Sequence, residues 1–356
     1  MNQEAKPWKK PNSIMISLVQ SQLIVFFISI IASIYFNKIV HKVYLKNNMV
    51  DQINQRSSHS VTATRSGGVS IFISLIVILL IYSLIYQLEY NMFIWLALSL
   101  SLFLGFWDDL YDISYKHKFI VQIFIGFLLT QSGYLINNFH GVFGVYEIPY
   151  WASMVTSIFV YLVITNAVNL IDGIDGLLSM TGLYVLSIFS LLFWVRSAEL
   201  FSLAVPLMGI IAGFLYHNLK PYEKVFLGDA GSLTMGTLFS FFVFWLMDGN
   251  NIQFTDGIIN RGLLAVLIFI YPLADTLRVF IIRASKGKSP FAPDRSHLHH
   301  RLIDKGYTHF FSSIQIIVLT ALLLAINLIS FNTLGLIGAT LLSSLYIVVV
   351  YYIRFK

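Results

Sequence analysis

Cysteine is absent from the 356 residues. That excludes a disulfide framework, a thiolate zinc site and a thiol nucleophile. Charge is scarce as well: Asp, Glu, Lys and Arg make up 11% of the chain, where soluble domains carry about a quarter. A surface so poor in charge excludes a soluble enzyme, a disordered chain and a fibrous one. Internal repeats and low-complexity tracts are missing too. No cleavable leader is evident, because the first apolar run is too long for a signal h-region and no small-residue cleavage site follows it. What is there is apolar: 57% of residues are hydrophobic, and the mean hydropathy is +0.76.

Long apolar runs fall at about 14–36, 69–88, 91–107, 119–137, 151–168, 177–195, 200–217, 232–248, 258–282, 312–331 and 333–354. Segments of about 20 apolar residues span a bilayer. The expectation is a single all-α polytopic membrane domain over 1–356 with eleven transmembrane helices, ten being the fallback. Tight turns are expected at Gln87–Asn91 and Asn332–Thr333. Gly209 and Gly213 form a small-xxx-small pair suited to helix packing. Pro272 predicts a kink in the ninth run, where Asp275 and Arg278, one turn apart, are expected to pair.

Lysine and arginine mark the cytoplasmic side. The loops after runs 1, 3, 5, 7 and 9, with the C-terminus, hold seventeen of the 23 basic residues. Five lie on the other side, and Arg278 is inside a run. The N-terminus is therefore expected outside and the C-terminus in the cytoplasm. The cytoplasmic loops are expected at about 37–68, 108–118, 166–176, 218–231 and 283–311.

Six of the 17 acidic residues sit at cytoplasmic ends of apolar runs: Asp108, Asp109, Asp112, Asp172, Asp175 and Asp229. Carboxylates at membrane depth cost several kcal/mol unless paired, hydrated or metal-bound. Gathered on one face, they imply a counter-ion. The loop after run 9 faces the same way and carries Arg295, His297, His299, His300 and Arg301. Acids that hold a cation then face bases that hold an anion, which suits a phosphorylated substrate bridged by magnesium.

Each cluster also has a plainer explanation. Asp108-Asp109-Leu-Tyr-Asp112 could instead be a solvated helix end, and Leu227-Gly228-Asp229-Ala230-Gly231-Ser232 a helix cap, but the functional reading is preferred for both. Asn166, Asn169, Asp172 and Asp175 recur every three residues, which would line one side of a helical turn. The histidines match no usual zinc spacing; they suit phosphoryl oxygens or a solvated basic loop. Arg56 and His59, with Arg65 and Gly67-Gly68 downstream, form a weaker phosphate-binding hint. His41, His117, His140 and His309 read as ordinary loop or interface residues.

Four motifs in this order, Asp108-Asp109-x-x-Asp112, Asn166-x-x-Asn169-x-x-Asp172-Gly-x-Asp175-Gly, Phe226-x-Gly-Asp229-Ala-Gly-Ser and His297-Leu-His299-His300, resemble the polyprenyl-phosphate N-acetylhexosamine-1-phosphate transferases, the MraY/WecA/TagO superfamily. The resemblance runs from about Asp51 to Leu302. Asp112 where MraY has lysine, Arg65-Ser-Gly-Gly in the first loop and the His-Leu-His-His motif are similar to the WecA/WbpL branch. Val61, Ala63 and Ser66 stand where such enzymes carry prolines and a third glycine.

The resemblance implies transfer of N-acetylhexosamine-1-phosphate from a UDP-sugar (UDP-GlcNAc or a 6-deoxy relative) to undecaprenyl phosphate. UMP is released, and O-antigen or another surface polysaccharide is begun. It implies magnesium, with manganese as a substitute, on Asp229 and Asn169. Asp108 and Asp109 would orient or deprotonate the lipid phosphate, and Asp172 would support the site. Gly173, Ile174 and Asp175 would border the uracil, and Phe226 would stack on it. Arg295, His297, His299 and His300 would contact sugar or pyrophosphate, with Arg56, His59, Arg65 and Asp112 also binding substrate. A bacterial inner membrane and a homodimer are expected, and no nucleic-acid partner. The alternatives are an MraY-type phospho-MurNAc-pentapeptide transferase, a cation-coupled transporter, or a scaffold for envelope enzymes. Acids at span ends, with only Asp275 in mid-span, favour the enzyme over the transporter.

Overall fold

The computed structural model describes residues 13–350 apart from 52–62, 88, 251–257, 288 and 290–295, with side chains described from residue 21 and not at 195 or 347–350. Eight helices among the described residues are long and apolar enough to cross a membrane, or nine if one bent pair counts as a span. In chain order the helices are α1 (Ser13–Lys46), α2 (Gly67–Tyr86), α3 (Met92–Tyr111), α4 (Tyr115–Thr130), α5 (Tyr150–Leu170), α6 (Leu177–Arg196), α7 (Ala198–Asn218), α8 (Gly228–Met247), α9 (Arg261–Ile268), α10 (Ile270–Ser285), α11 (Leu298–Asp304) and α12 (His309–Val350). At 16 residues α4 falls short of a full span.

Several boundaries differ from the sequence reading, each for a local reason. α1 runs ten residues past the predicted end, to Lys46. Its extension carries Lys38, Lys42 and Lys46 on one exposed stripe at helical spacing, so basic residues continue the helix into water. The ninth run divides into α9 and α10, bent by 73°. The break lies at Phe269, ahead of the expected Pro272, because the proline ring collides with the carbonyl four residues back, at Ile268. The turn between the last two runs falls at Gly335 (φ 62°, ψ −173°) instead of Asn332–Thr333. There α12 folds back on itself. Tyr346 Oη donates to Leu319 O at 3.2 Å, although a straight helix would separate them by about 40 Å.

Packing centres on α8, 94% of whose apolar stretch is buried inside the protein. Phe189 and Phe193 of α6 meet Phe242 and Trp245 of α8 at ring-centroid distances of 4.7–5.3 Å. Small residues let backbones touch where the site is built. A Cβ on Gly105 of α3 would lie 2.3 Å from Asp229 O, and one on Gly68 of α2 would lie 2.1 Å from Gly231 N. The expected Gly209/Gly213 packing pair faces the carbonyls of Phe26 and Ile30 on α1.

Two short strands, β1 (Ala63–Thr64) and β2 (Lys224–Val225), pair in parallel, a feature the all-helical expectation lacked. The pairing continues as Gly67 N and Gly68 N donate to Phe226 O and Leu227 O at 3.0 and 2.9 Å. It ties the start of α2 to the start of α8. Odd-numbered helices from α1 to α7 end, and even-numbered ones begin, at the same end of the bundle. The contacts His41–Thr64 (2.8 Å), Lys118–Asp229 (2.8 Å), Asn169–Ser232 (2.8 Å) and Gly176–Asn218 (2.6 Å) all lie there.

Candidate active site

The start of α8 is held by a carboxylate from α3. Asp109 Oδ1 accepts from Asp229 N at 3.0 Å, and Oδ2 accepts from Ala230 N at 3.1 Å. Both amides belong to the orphan donors of a helix N-terminus, and a carboxylate there also suits the helix dipole. Arg65 Nη1 lies 3.6 Å from Asp109 Oδ1 and its Nη2 lies 2.9 Å from Asp51. Burial alone would lower the Arg65 pKa, but the surrounding carboxylates of Asp51, Asp109, Asp229 and Asp112 outweigh it and raise it.

Asp108, one residue earlier, turns elsewhere. Its Oδ1 accepts from Ile113 N at 2.7 Å, and its Oδ2 pairs with Lys118 Nζ. The same ammonium reaches Asp229 Oδ2 at 2.8 Å. One cation from α4 thus bridges two acids from α3 and α8. Asn169, at the end of α5, donates to Ser232 Oγ at 2.8 Å, near the start of α8 and three residues after Asp229. The carboxylate of Asp172, on the following loop, accepts no hydrogen bond among the described residues. Burial, then the charges of Asp229, Asp109 and Asp175, push its pKa up to about 8.

The expected one-sided array of Asn166, Asn169, Asp172 and Asp175 does not form. α5 ends at Leu170, so the last two leave the helical register. Asn166 donates to Gln122 Oε1 at 3.0 Å. Asp175 Oδ2 is held by Lys224 Nζ at 2.5 Å and His309 Nδ1 at 2.6 Å. Burial opposes ionisation of Asp175, but those two partners prevail and leave its pKa below the ordinary value. Lys224 Nζ also stands 5.5 Å from the centroid of Phe226. Asp175 and Phe226, both expected at the nucleotide, are therefore neighbours through Lys224.

The histidine motif caps this end from α11. Asp275 of α10, fully buried, binds His297 Nδ1 at 2.8 Å and accepts from Leu298 N at 3.1 Å. It also takes the expected Arg278 pair, at 2.9 Å. Arg278 in turn donates to Ser296 O. His299 Nδ1 meets Tyr271 Oη at 3.1 Å, and a Cβ on Gly173 would lie 2.3 Å from its Nε2. Burial, with the charge of neighbouring His300, holds the His299 ring well below the usual histidine range, hence neutral. His300 packs 4.4 Å from His299, centroid to centroid.

The structure thus gathers Asp108, Asp109, Asp172, Asp229, Asn169 and Arg65 at one helix end, with Gly173, Ile174, Asp175, Phe226, His297, His299 and His300 around it. Asp112 closes α3 in the left-handed conformation (φ 49°). Arg56, His59 and Arg295 lie outside the described residues. Sequence reasoning missed Lys118, Lys224 and His309. The first two entered only as topological charge, and His309 as an ordinary loop residue.

The donor set suits magnesium, which prefers oxygen and binds through one or two carboxylates plus phosphates. Lys118 supports that fit, since its ammonium rests between Asp108 and Asp229 as a cation in their shared field. Among the described residues no three His, Asp or Glu side chains form a ready metal cage. Asp229 and Asn169 would supply two ligands and leave the others to substrate and water.

The profile of Glycosyl transferase family 4 matches residues 91–247, from the turn before α3 to the end of α8. A Bacillus subtilis (strain 168) protein named probable undecaprenyl-phosphate N-acetylglucosaminyl 1-phosphate transferase is 31% identical over 92% of this chain and 88% of its own length. The undecaprenyl-phosphate alpha-N-acetylglucosaminyl 1-phosphate transferases of Yersinia pestis and Escherichia coli (strain K12) are 30% and 29% identical, over 87% and 88% of this chain and 84% of each relative. With the acids, the lysine and the histidine motif converging at one helix end and relatives aligned across nearly the whole length, the chain belongs to the polyprenyl-phosphate N-acetylhexosamine-1-phosphate transferases, on their WecA-like side.

Proposed function

We propose that the chain transfers N-acetylhexosamine-1-phosphate from a UDP-sugar, UDP-GlcNAc first among them, to undecaprenyl phosphate in a bacterial inner membrane. The observation that carries this reading is the convergence of Asp108, Asp109 and Asp229 with Lys118 and Arg65 at the start of α8. The site end of the bundle is the cytoplasmic one, because most lysines and arginines flank it. Eleven spans with the N-terminus outside follow if α4, the bent α9–α10 pair and both limbs of α12 each cross.

In the reaction an oxygen of the lipid phosphate attacks the β-phosphorus of the UDP-sugar. The bond from that phosphorus to the oxygen bridging to UMP breaks, UMP leaves with the electron pair, and a lipid diphosphate sugar remains. The sugar C1–O bond is untouched. A strong base is not required, since a phosphate monoester is largely dianionic near pH 7 (second pKa about 6). Bound magnesium supplies charge neutralisation where the phosphates converge. Lys118 and Arg65 add fixed positive charge beside the α8 N-terminus, preorganised for the developing negative charge. Asp109 keeps that terminus in place. The lipid chain would lie in an apolar groove between helices, for which no sequence signature is expected.

The test is UMP release by purified protein with undecaprenyl phosphate, magnesium and a panel of UDP-sugars, with EDTA and Asp229→Ala as controls. UMP that appears only with lipid, metal and a UDP-N-acetylhexosamine supports the reading. Folded protein that turns over no sugar in the panel overturns it, and ion-flux assays then take up the transporter alternative.

A further inference from the structure

A polar seam runs along one face of α1. Ser33, Asn37 and His41 recur every fourth residue, so they share a face, and all three are buried. Ser33 Oγ donates to Ile210 O of α7 at 2.7 Å. Asn37 Nδ2 donates to Ser33 O at 2.9 Å, and its Oδ1 accepts from Ser70 Oγ of α2 at 2.5 Å. Between apolar helices such bonds set the height of one helix against another, because slippage would strand each polar group. The first two steps of the seam thus lock α1 to α7 and α2. The third leaves the helices: His41 Nδ1 meets Thr64 Oγ1 of β1 at 2.8 Å.

Thr64 is a junction. Its hydroxyl also meets Ser66 Oγ at 2.8 Å, and its carbonyl accepts from Phe226 N at 2.8 Å. The next residue is Arg65, which packs on the start of α8: a Cβ on Gly228 would lie 3.1 Å from Arg65 Cβ. Its guanidinium stands 3.6 Å from Asp109, the carboxylate that holds the first amides of α8. With 40% of its side chain exposed, Arg65 takes its position from the strand that carries it as well as from its ion pairs.

For helix packing alone, His41 is an awkward choice. Its Nε2 is buried and meets no hydrogen-bond partner among the described residues, and an orphaned buried nitrogen is costly. An apolar residue would pack here without that cost, but it would lack the bond to Thr64. A costly side chain whose one polar contact leads toward the site points to a role in that site.

We propose that His41 is a positioning residue for the transfer reaction: through Thr64 it fixes β1, and with β1 the place of Arg65 beside the start of α8. The inference rests on the transferase reading above and goes beyond it, since His41 belongs to none of the four motifs.

The experiment measures kcat, both KM values and the melting temperature in detergent. The variants are His41→Leu, His41→Asn and Thr64→Val, with His41→Leu also combined with Thr64→Val and with Arg65→Gln. Leucine fills most of the ring's space without a hydrogen bond, whereas asparagine places its amide where Nδ1 stands. His41→Leu and Thr64→Val should each lower kcat about tenfold, the size of one hydrogen bond. Both KM values should stay within about twofold of wild type, and the melting temperature should stay close to it. The two together should lose no more than either alone, and His41→Leu should cost nothing further once Arg65→Gln is in place. His41→Asn should keep kcat within about threefold of wild type. Unchanged kcat in His41→Leu overturns the proposal. So do losses that multiply with Arg65→Gln, or rates that fall only in step with the melting temperature, as a merely structural histidine would give. If His41→Leu does not fold, Thr64→Val, alone and with Arg65→Gln, gives the same decision. Wild type that turns over no UDP-sugar defeats the transferase reading itself and is recognised before any variant is made.

Discussion

The two adjacent aspartates at the end of α3 have different partners, which separates their roles. Asp109 is spent on two main-chain amides and Arg65, whereas the partner of Asp108 outside its own loop is a lysine. Asp109→Asn should therefore lose stability by about 1–3 kcal/mol, since an amide nitrogen turned toward a main-chain N–H leaves a buried donor unsatisfied. Asp108→Asn should lose turnover by about 100-fold or more with a smaller stability change; thermal melts in detergent beside initial rates distinguish the two. Asp172 predicts a trade-off. Its folded pKa of about 8 lies above the ordinary carboxylate value, so the folded state holds a proton that the unfolded chain gives up near pH 4. Stability then falls as pH rises between about 4 and 8. Asp172→Asn should flatten that fall and raise the melting temperature of metal-free protein at pH 8, while turnover drops. A variant whose melting temperature tracks wild type across that range would refute the assignment. The acids were legible in the sequence because carboxylates at the ends of apolar runs are costly and so stand out. Their partners were not: Lys118 meets Asp229 across 111 positions and His309 meets Asp175 across 134, and no local pattern records a contact at that separation.

Among the elements, the bent pair α9–α10 matters most. The proline announced a bend, and ring-against-carbonyl geometry moved it to Phe269. The bend carries Asp275 to the start of α11, where one buried carboxylate fixes His297, the α11 amide at Leu298 and Arg278. Asp275→Asn should loosen the histidine motif. Turnover should fall about 10- to 100-fold, and His297→Gln should add little when combined with Asp275→Asn, because residues in one network are non-additive. Strictly multiplicative losses would show that the two act separately. Helix ends were the least legible part of the fold. The α1 extension is amphipathic enough to continue in water, and Gly335 reverses α12 only because its backbone adopts a positive φ that side chains avoid.

For the whole molecule, the missing cysteines make topology directly testable. A single cysteine introduced at exposed Tyr222, near β2, should react with an impermeant maleimide only when the cytoplasmic side is opened. One at exposed Phe143, in the loop between α4 and α5, should react in intact cells. The reverse pattern would invert the proposed orientation.

The burial of α8 has a consequence for how the protein meets its bilayer. Membranes differ in thickness, and helices that touch lipid accommodate by tilting. α8 touches almost none, being wrapped by α2, α3, α5 and α6 along its length. Tilt adopted by the outer helices is taken up before it reaches the innermost one, whose first turn carries Asp229. Reconstitution into lipids of different acyl length should then change how readily the lipid substrate arrives far more than how fast the phosphates exchange once both substrates are bound.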